Sequence, residues 1–420
     1  MGCSKNLVDS ERLGRMLAEK GWELHHNPDG HHGDVVVVNT CGFIGDAKEE
    51  SVQMVCDLCQ DKADGRLGEV YVMGCLSERY REELSELFRD VDGLYGKFDW
   101  AGIVERLGTV GEKTEVEKSA KSYCYLKISE GCDRKCAYCA IPLITGRHQS
   151  RSMEDILDEV RRRVAEGITE FQVIAQELTY YGVDNYGSQK LPELIEKMAR
   201  IDGVKWIRLH YAYPTHFPMD LLRVMRENDN VCKYLDIALQ HISDDVLKRM
   251  RRHITKAETL ELIEAMRREV PGICLRTTLM VGFPGETDED FAELTEFVKT
   301  VKFDRMGAFA YSEEEGTYAA EHYSDDVPDE VKQDRLSKLM RVQQRISEAL
   351  NAKRVGETVT IVIDRLEGAY YVGRTEKDSP EVDGEVLAKA EGVSLTVGEY
   401  YAVKVVDSDE FDLYGEIIEN

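Results

Sequence analysis

The chain has 420 residues, 42% hydrophobic and 32% charged, and its 54 Lys+Arg against 80 Asp+Glu give a net charge of −26. That length suits about three domains of ~100–200 residues, and so acidic a surface repels nucleic-acid phosphates wherever it lacks a basic patch. No run nears the ~18–20 apolar residues of a membrane helix, and the opening MGCSKNLVDSE lacks a secretory pattern and, with Asn6, a myristoylation site, so a cytoplasmic protein without membrane contact is expected.

Residues 1–118 read as a doubly wound α/β domain. A helical stretch at 6–22 leads to the apolar run DVVVVNT at 34–40. A helix over 46–64, a second apolar run at 69–75 and an amphipathic helix over 77–88 follow. Such alternation implies a parallel sheet covered on both faces. The polar, aperiodic stretch 109–122 is a linker.

Residues 119–351 continue the alternation, with strands predicted at 123–129, 170–176, 205–211, 234–240, 273–281 and 304–311. Six such units make an open (β/α)6 partial TIM barrel, whose reactive groups belong on loops at the C-terminal strand ends. Ser152 and Asp155 cap the helix that follows the first strand, and a long helix over 328–350 leaves the domain. Residues 352–420 hold five short strands with turns, a small antiparallel β-barrel.

Eleven cysteines in a reducing compartment point to metal or catalytic use rather than disulfides. Cys132, Cys136 and Cys139 form C-x3-C-x2-C on the loop leaving the first barrel strand. Three thiolates suit a four-iron cluster with one iron left open; the alternatives are a zinc knuckle lacking its fourth ligand, with His148 poorly spaced to serve, or inert filler. Cys41 ends the first apolar run, Cys75 the second, and Cys3 precedes the first helix. Sites in open α/β sheets lie beyond the carboxyl ends of strands, so these three either converge as a second trio, with pKa lowered by helix N-termini, or are core residues. Cys56 and Cys59 read as core on one helical face, Cys124, Cys232 and Cys274 as buried, and His25, His26, His31 and His32 as solvated.

The stretches GCSKNLVDSE (2–11), NTCGFIGDAKEES (39–51), GC at 74–75, GCDRKCAYCAIP (131–142), GRHQSRS (146–152), LRTTLMVGFPGETDEDF (275–291) and AFAYSEEEGT (308–317) together resemble the radical S-adenosylmethionine methylthiotransferase family, in the branch that modifies a ribosomal protein. The resemblance covers nearly the whole chain, with a TRAM-type barrel at the C-terminus. It implies two 4Fe-4S clusters, one on Cys132, Cys136 and Cys139 and one on Cys3, Cys41 and Cys75, and no catalytic residue beyond these ligands. It implies S-adenosyl-L-methionine as methyl donor and as source of a 5′-deoxyadenosyl radical, with a low-potential electron donor. Tyr138 is expected near the adenine, Gly282 and Gly285 at the methionine end, and Gln176 and Arg276 at strand ends around the mouth. Family members carry a strand before the first Gly-Cys, whereas here Cys3 follows Met1 almost at once, which implies an internal start or an absent strand and a loosely held Cys3.

The implied reaction adds a methylthio group to the β-carbon of an aspartate of the twelfth small-subunit ribosomal protein, free or within the subunit. The alternative in the same family is a tRNA adenosine methylthiotransferase; outside it stand a non-catalytic iron–sulfur or ribosome-associated protein and a zinc protein. Residues 352–420 hold 7 Lys+Arg and 16 Asp+Glu, a net −9. Such a barrel disfavours RNA and suits a Lys/Arg-rich protein partner, unless the acidity is proteome-wide, since residues 1–351 carry −17.

Overall fold

The computed structural model describes residues 2–26, 33–43, 45–114 and 121–418; His31, His32 and residues 115–120 of the expected linker lie outside the described residues. Strands β1 (Gly33–Thr40), β2 (Leu67–Gly74) and β3 (Gly93–Leu94) form a parallel sheet in that order. The apolar run of β1 has no polar alternation because both of its faces are covered. Val36 and Val38 pack with Val55, Leu58 and Val70, while Val37 packs with Leu13, Leu17 and Ile103 on the other side. The helix expected over 77–88 is two, Cys75–Arg79 and Arg81–Leu87, because Tyr80 leaves helical geometry at φ −126°, ψ 40°. Cys56 is exposed, so the buried face of helix Gly45–Ala63 runs through Val55 and Leu58 instead. His25 and His26 are exposed, and Cys124, Cys232 and Cys274 are buried.

After β4 (Tyr123–Lys127), Ser129–Glu130 (β5) pairs with Gln149–Ser150 (β6) around the loop that carries the C-x3-C-x2-C cysteines. The chain then lays down β7 (Glu170–Ile174), β8 (Trp206–Ala212), β9 (Val231–Gln240), β10 (Cys274–Val281) and β11 (Arg305–Ala310). With β4 they form an open sheet, order β11-β10-β9-β8-β7-β4, in which every neighbouring pair is parallel. All their C-terminal ends therefore share one mouth. Ser152 accepts the Asp155 N–H at the start of helix Met153–Ala165, as its sequence predicts. Helix Asp329–Ala352 returns across the sheet, where the Gln343 amide donates to the Phe303 carbonyl at 2.9 Å.

Strands β12 (Thr358–Glu367), β13 (Tyr370–Thr375), β14 (Val386–Lys389), β15 (Tyr400–Ser408) and β16 (Leu413–Ile417) close a barrel in the order β12-β13-β14-β16-β15. Four of its seams are antiparallel, but β14 and β16 run parallel. A ring of five strands cannot alternate direction throughout, so the fully antiparallel expectation fails at one seam. The barrel sits on the N-terminal strand ends of the central sheet, opposite the mouth. Arg374 reaches Glu170 at 2.9 Å, Arg305 reaches Asp378 at 2.5 Å, and the Tyr234 hydroxyl donates to Asp383 at 2.7 Å. Asp378 and Asp383 are thus turned inward, and the −9 of this segment is not all presented to partners.

Candidate functional site

Three cysteines come from three segments of the N-terminal unit. Cys41 follows β1 directly, Cys75 follows β2, and Cys3 is the N-cap of helix Ser4–Ala18. Gly42 lies against the Cys75 backbone, where a Cβ would stand 2.7 Å from its carbonyl carbon. Asn6 ties the three segments: its amide donates to the Thr40 carbonyl at 3.1 Å, its carbonyl oxygen receives the Cys75 thiol at 3.4 Å, and Asn39 donates to its backbone oxygen at 2.8 Å. Ser51 accepts the Cys41 N–H at 3.0 Å. Cys3 is exposed, Cys41 half-buried and Cys75 buried. The expected lowering of the thiol pKa does not occur at Cys75: burial pushes it up to about 12, against Lys97, and Cys3 and Cys41 are close enough to raise it further. A thiol so placed gives up its proton only to a bound metal.

The second trio lies on the loop after β5. Cys132 is buried and donates its N–H to the Gly146 carbonyl at 3.2 Å. The Ala137 N–H donates to the Met250 carbonyl at 2.9 Å, and the Ala137 carbonyl accepts the Ala319 N–H at 2.8 Å, so the loop is held from two sides. Around Cys136 the Tyr213 hydroxyl and an Arg252 guanidinium nitrogen each lie 3.5 Å from the sulfur. Arg252 also donates to the Tyr138 hydroxyl at 3.3 Å, and the Tyr138 ring stands edge-on to Phe283, 6.4 Å between centroids. Burial pushes the Cys132 thiol up to about 12 as well.

Among the described residues no three His, Cys, Asp or Glu side chains converge as ligands of one ion do. Structural zinc needs four donors on a single centre, whereas a four-iron cube takes one thiolate per iron. An all-thiol set of three fits the cube, and each trio has one buried member, Cys75 or Cys132. His148 is engaged elsewhere, with Nε2 2.9 Å from the Ser150 hydroxyl and its ring against Tyr180.

Cys75, Ala140 and Ile144 share one buried apolar cluster, so the first trio packs on the turn that directly follows Cys139. The seam is fastened by charge. Asp9 receives Lys97 at 2.5 Å and Lys127 at 2.5 Å, and Lys127 also reaches Glu130, which accepts from Gln176 at 3.4 Å. Gln176 is therefore at the mouth.

One other expectation is corrected. Arg276 is the third residue of β10, far from its C-terminal end, and pairs with Asp236 at 3.2 Å and Asp383 at 3.5 Å on the side of the C-terminal barrel. Gly282 follows β10 with φ +71° and Gly285 has φ +78°, and Lys332 and Arg249 stand where a Cβ would go, so both positions favour glycine. Arg252, Tyr213, Asn6 and Lys97 were not singled out from sequence. Each reaches a cysteine distant in the chain, and no local pattern announces it.

Relatives extend over the whole molecule. Proteins named ribosomal protein uS12 methylthiotransferase RimO are 63% identical in Bacteroides fragilis and 62% in Phocaeicola vulgatus, each over 100% of this chain and 98% of the relative. The one in Christiangramia forsetii is 48% identical over 99% and 92%. The chain belongs to the RimO methylthiotransferase family. Within this RimO-family chain, residues 126–298 match the radical SAM superfamily, residues 1–96 an uncharacterized protein family designated UPF0004, and residues 355–418 the TRAM domain. The radical S-adenosylmethionine methyltransferase TsrM of Kitasatospora setae shares the fold alone, at TM-score 0.50 and 13% identity over 75% of this chain and 68% of that one. Among the described residues no helix is long and apolar enough to cross a membrane.

Proposed function

We propose that this chain is a radical S-adenosylmethionine methylthiotransferase that adds a methylthio group to the β-carbon of an aspartate of ribosomal protein uS12. It uses two four-iron clusters, one on Cys3, Cys41 and Cys75 and one on Cys132, Cys136 and Cys139, and a low-potential electron donor. The carrying observation is the packing of Cys75 on Ala140 and Ile144, which joins the two thiol trios at one mouth. The work divides among residues 1–118, 119–351 and 352–420. When bound, the clusters and S-adenosylmethionine supply one-electron chemistry able to open a C–H bond that no side-chain base can readily deprotonate. The protein's part is position and dryness. Arg252 orients Tyr138 beside the second trio, and Tyr138 is the residue for the adenine. Helix Ser4–Ala18, fastened through Asp9 to Lys97 and Lys127, covers the mouth against water. Gln176, held on Glu130, is a polar contact for the bound cofactor.

The test is the mass of uS12 from wild-type and deletion cells. A methylthio increment found only in the wild type is expected; equal masses, with a modified adenosine lost from tRNA instead, would overturn the reading.

A further inference from the structure

Lys5 is a buried cation in an unusual position. Lys5, Lys97, Arg208, Arg252, Lys332, Arg335 and Arg374 are the buried basic side chains among the described residues. Five of them rest on carboxylates: Lys97 on Asp9, Arg208 and Arg374 on Glu170, Lys332 on Asp325 and Arg335 on Glu286. Arg252 has the Cys136 sulfur. Lys5 has none of these among the described residues. Its ammonium sits 2.9 Å from the centre of the Tyr211 ring, at the end of β8, and the residue as a whole is 6% exposed. A ring face offsets only part of the desolvation of a buried ammonium, which ordinarily needs a counter-charge.

Two further features favour an anion at this point. Lys5 is the second residue of a 15-residue helix whose N-cap, Cys3, makes no side-chain capping bond, and helix N-termini favour negative charge. Tyr211 itself is held at φ +64°, a left-handed backbone that a tyrosine adopts only under constraint, and such strain gathers at functional sites.

We infer that Lys5 receives the side-chain carboxylate of the substrate residue, seating an acidic acceptor at the mouth beside Cys3. The inference rests on the ribosomal-protein reading above and deepens it: this position selects an anionic acceptor over a neutral one. The modified aspartate of uS12 is first located by mass spectrometry. Full-length enzyme, reconstituted without oxygen, is then given uS12 and its Asp→Asn variant at that position, with rates normalised to iron content. Wild-type enzyme is expected to favour the aspartate protein about a hundredfold in kcat/KM, the scale of losing one partner of a buried charge pair. Lys5→Met should treat the two alike, and Lys5→Arg should keep the preference. An unchanged preference in Lys5→Met overturns the inference, as does a higher S-adenosylmethionine requirement with the preference intact, which would assign the ammonium to the cofactor's carboxylate. If Lys5→Met does not fold, wild-type enzyme that accepts both proteins equally overturns it as well. Wild-type enzyme that modifies neither protein overturns the ribosomal-protein reading, and this inference with it.

Discussion

Changing Cys132, Cys136 and Cys139 together to alanine is expected to abolish reductive cleavage of S-adenosylmethionine and to lower the iron from about eight to about four atoms per chain. Changing Cys41 and Cys75 to alanine should remove the other four, and methylthio transfer with them, while 5′-deoxyadenosine still forms. The asymmetry follows from the surroundings. Arg252 and Tyr213 gather on the Cys136 sulfur and Arg252 holds Tyr138 beside them, whereas Asn6 and the charge of Lys97 stand beside Cys75 and Ser51 holds the Cys41 backbone. Partial occupancy is not expected in either mutant, because the triple change leaves its trio no thiol and the double change leaves only Cys3, too few to hold a four-iron cube. Iron analysis, electron paramagnetic resonance and chromatography of 5′-deoxyadenosine read the outcome. Eight irons surviving the triple change, or four surviving in neither mutant, would refute two independent clusters.

The architecture was legible wherever hydrophobic pattern alone decides it. The run DVVVVNT implied a strand covered on both sides, and the valines of β1 divide between two clusters. Strand positions in the central sheet came out within a few residues because burial on both faces makes each a short apolar run. What failed was local or closing geometry. The strand read from residue 234 begins at Val231, since Lys233 breaks the apolar pattern and the pairing with β8 shifts register between Val231 and Leu235. The strand read over 123–129 stops at Lys127, where the chain turns aside toward β6. Nothing in β14 or β16 announces that they pair in parallel; that follows from the number of strands in the ring.

At the site, spacing grouped what is local and resemblance grouped what is not. C-x3-C-x2-C is one loop, so its cysteines could be grouped by counting. Cys3, Cys41 and Cys75 are grouped by topology, and the residue that ties them, Asn6, contacts Thr40 and Cys75 far along the chain. Arg276 was misplaced because a motif beside a strand end was read as lying at that end, although six residues of β10 run from it to the mouth side. The charge of the C-terminal segment was counted correctly but read as surface, while Asp378 and Asp383 face the central sheet.

The same seam yields a large effect on stability. Glu170, 0% exposed at the start of β7, accepts from Arg208 at 3.1 Å and from Arg374 at 2.9 and 3.0 Å, joining the C-terminal barrel to the central sheet. Glu170→Gln removes the carboxylate of buried Arg208, which keeps only the backbone carbonyls of Thr375 and Glu376, while Arg374 keeps Asp364; the loss is about 3–5 kcal/mol, and is expected to lower the melting of this part of the chain by roughly 10 °C. Hydrogen exchange should quicken first in β12 to β16. Burial alone would raise the Glu170 carboxyl, yet Arg374 and Arg208 hold it below its ordinary value. Its contribution is therefore fully present above the unfolded carboxylate pKa of about 4.3 and is lost as pH falls through the lower folded value. Asp378, held down by Arg305 against its own burial, works in the same sense. Wild type and Glu170→Gln should thus differ most at neutral pH and converge in acid. A gap that stayed constant from neutral to strongly acidic pH would mean that Glu170 acts by shape rather than by charge.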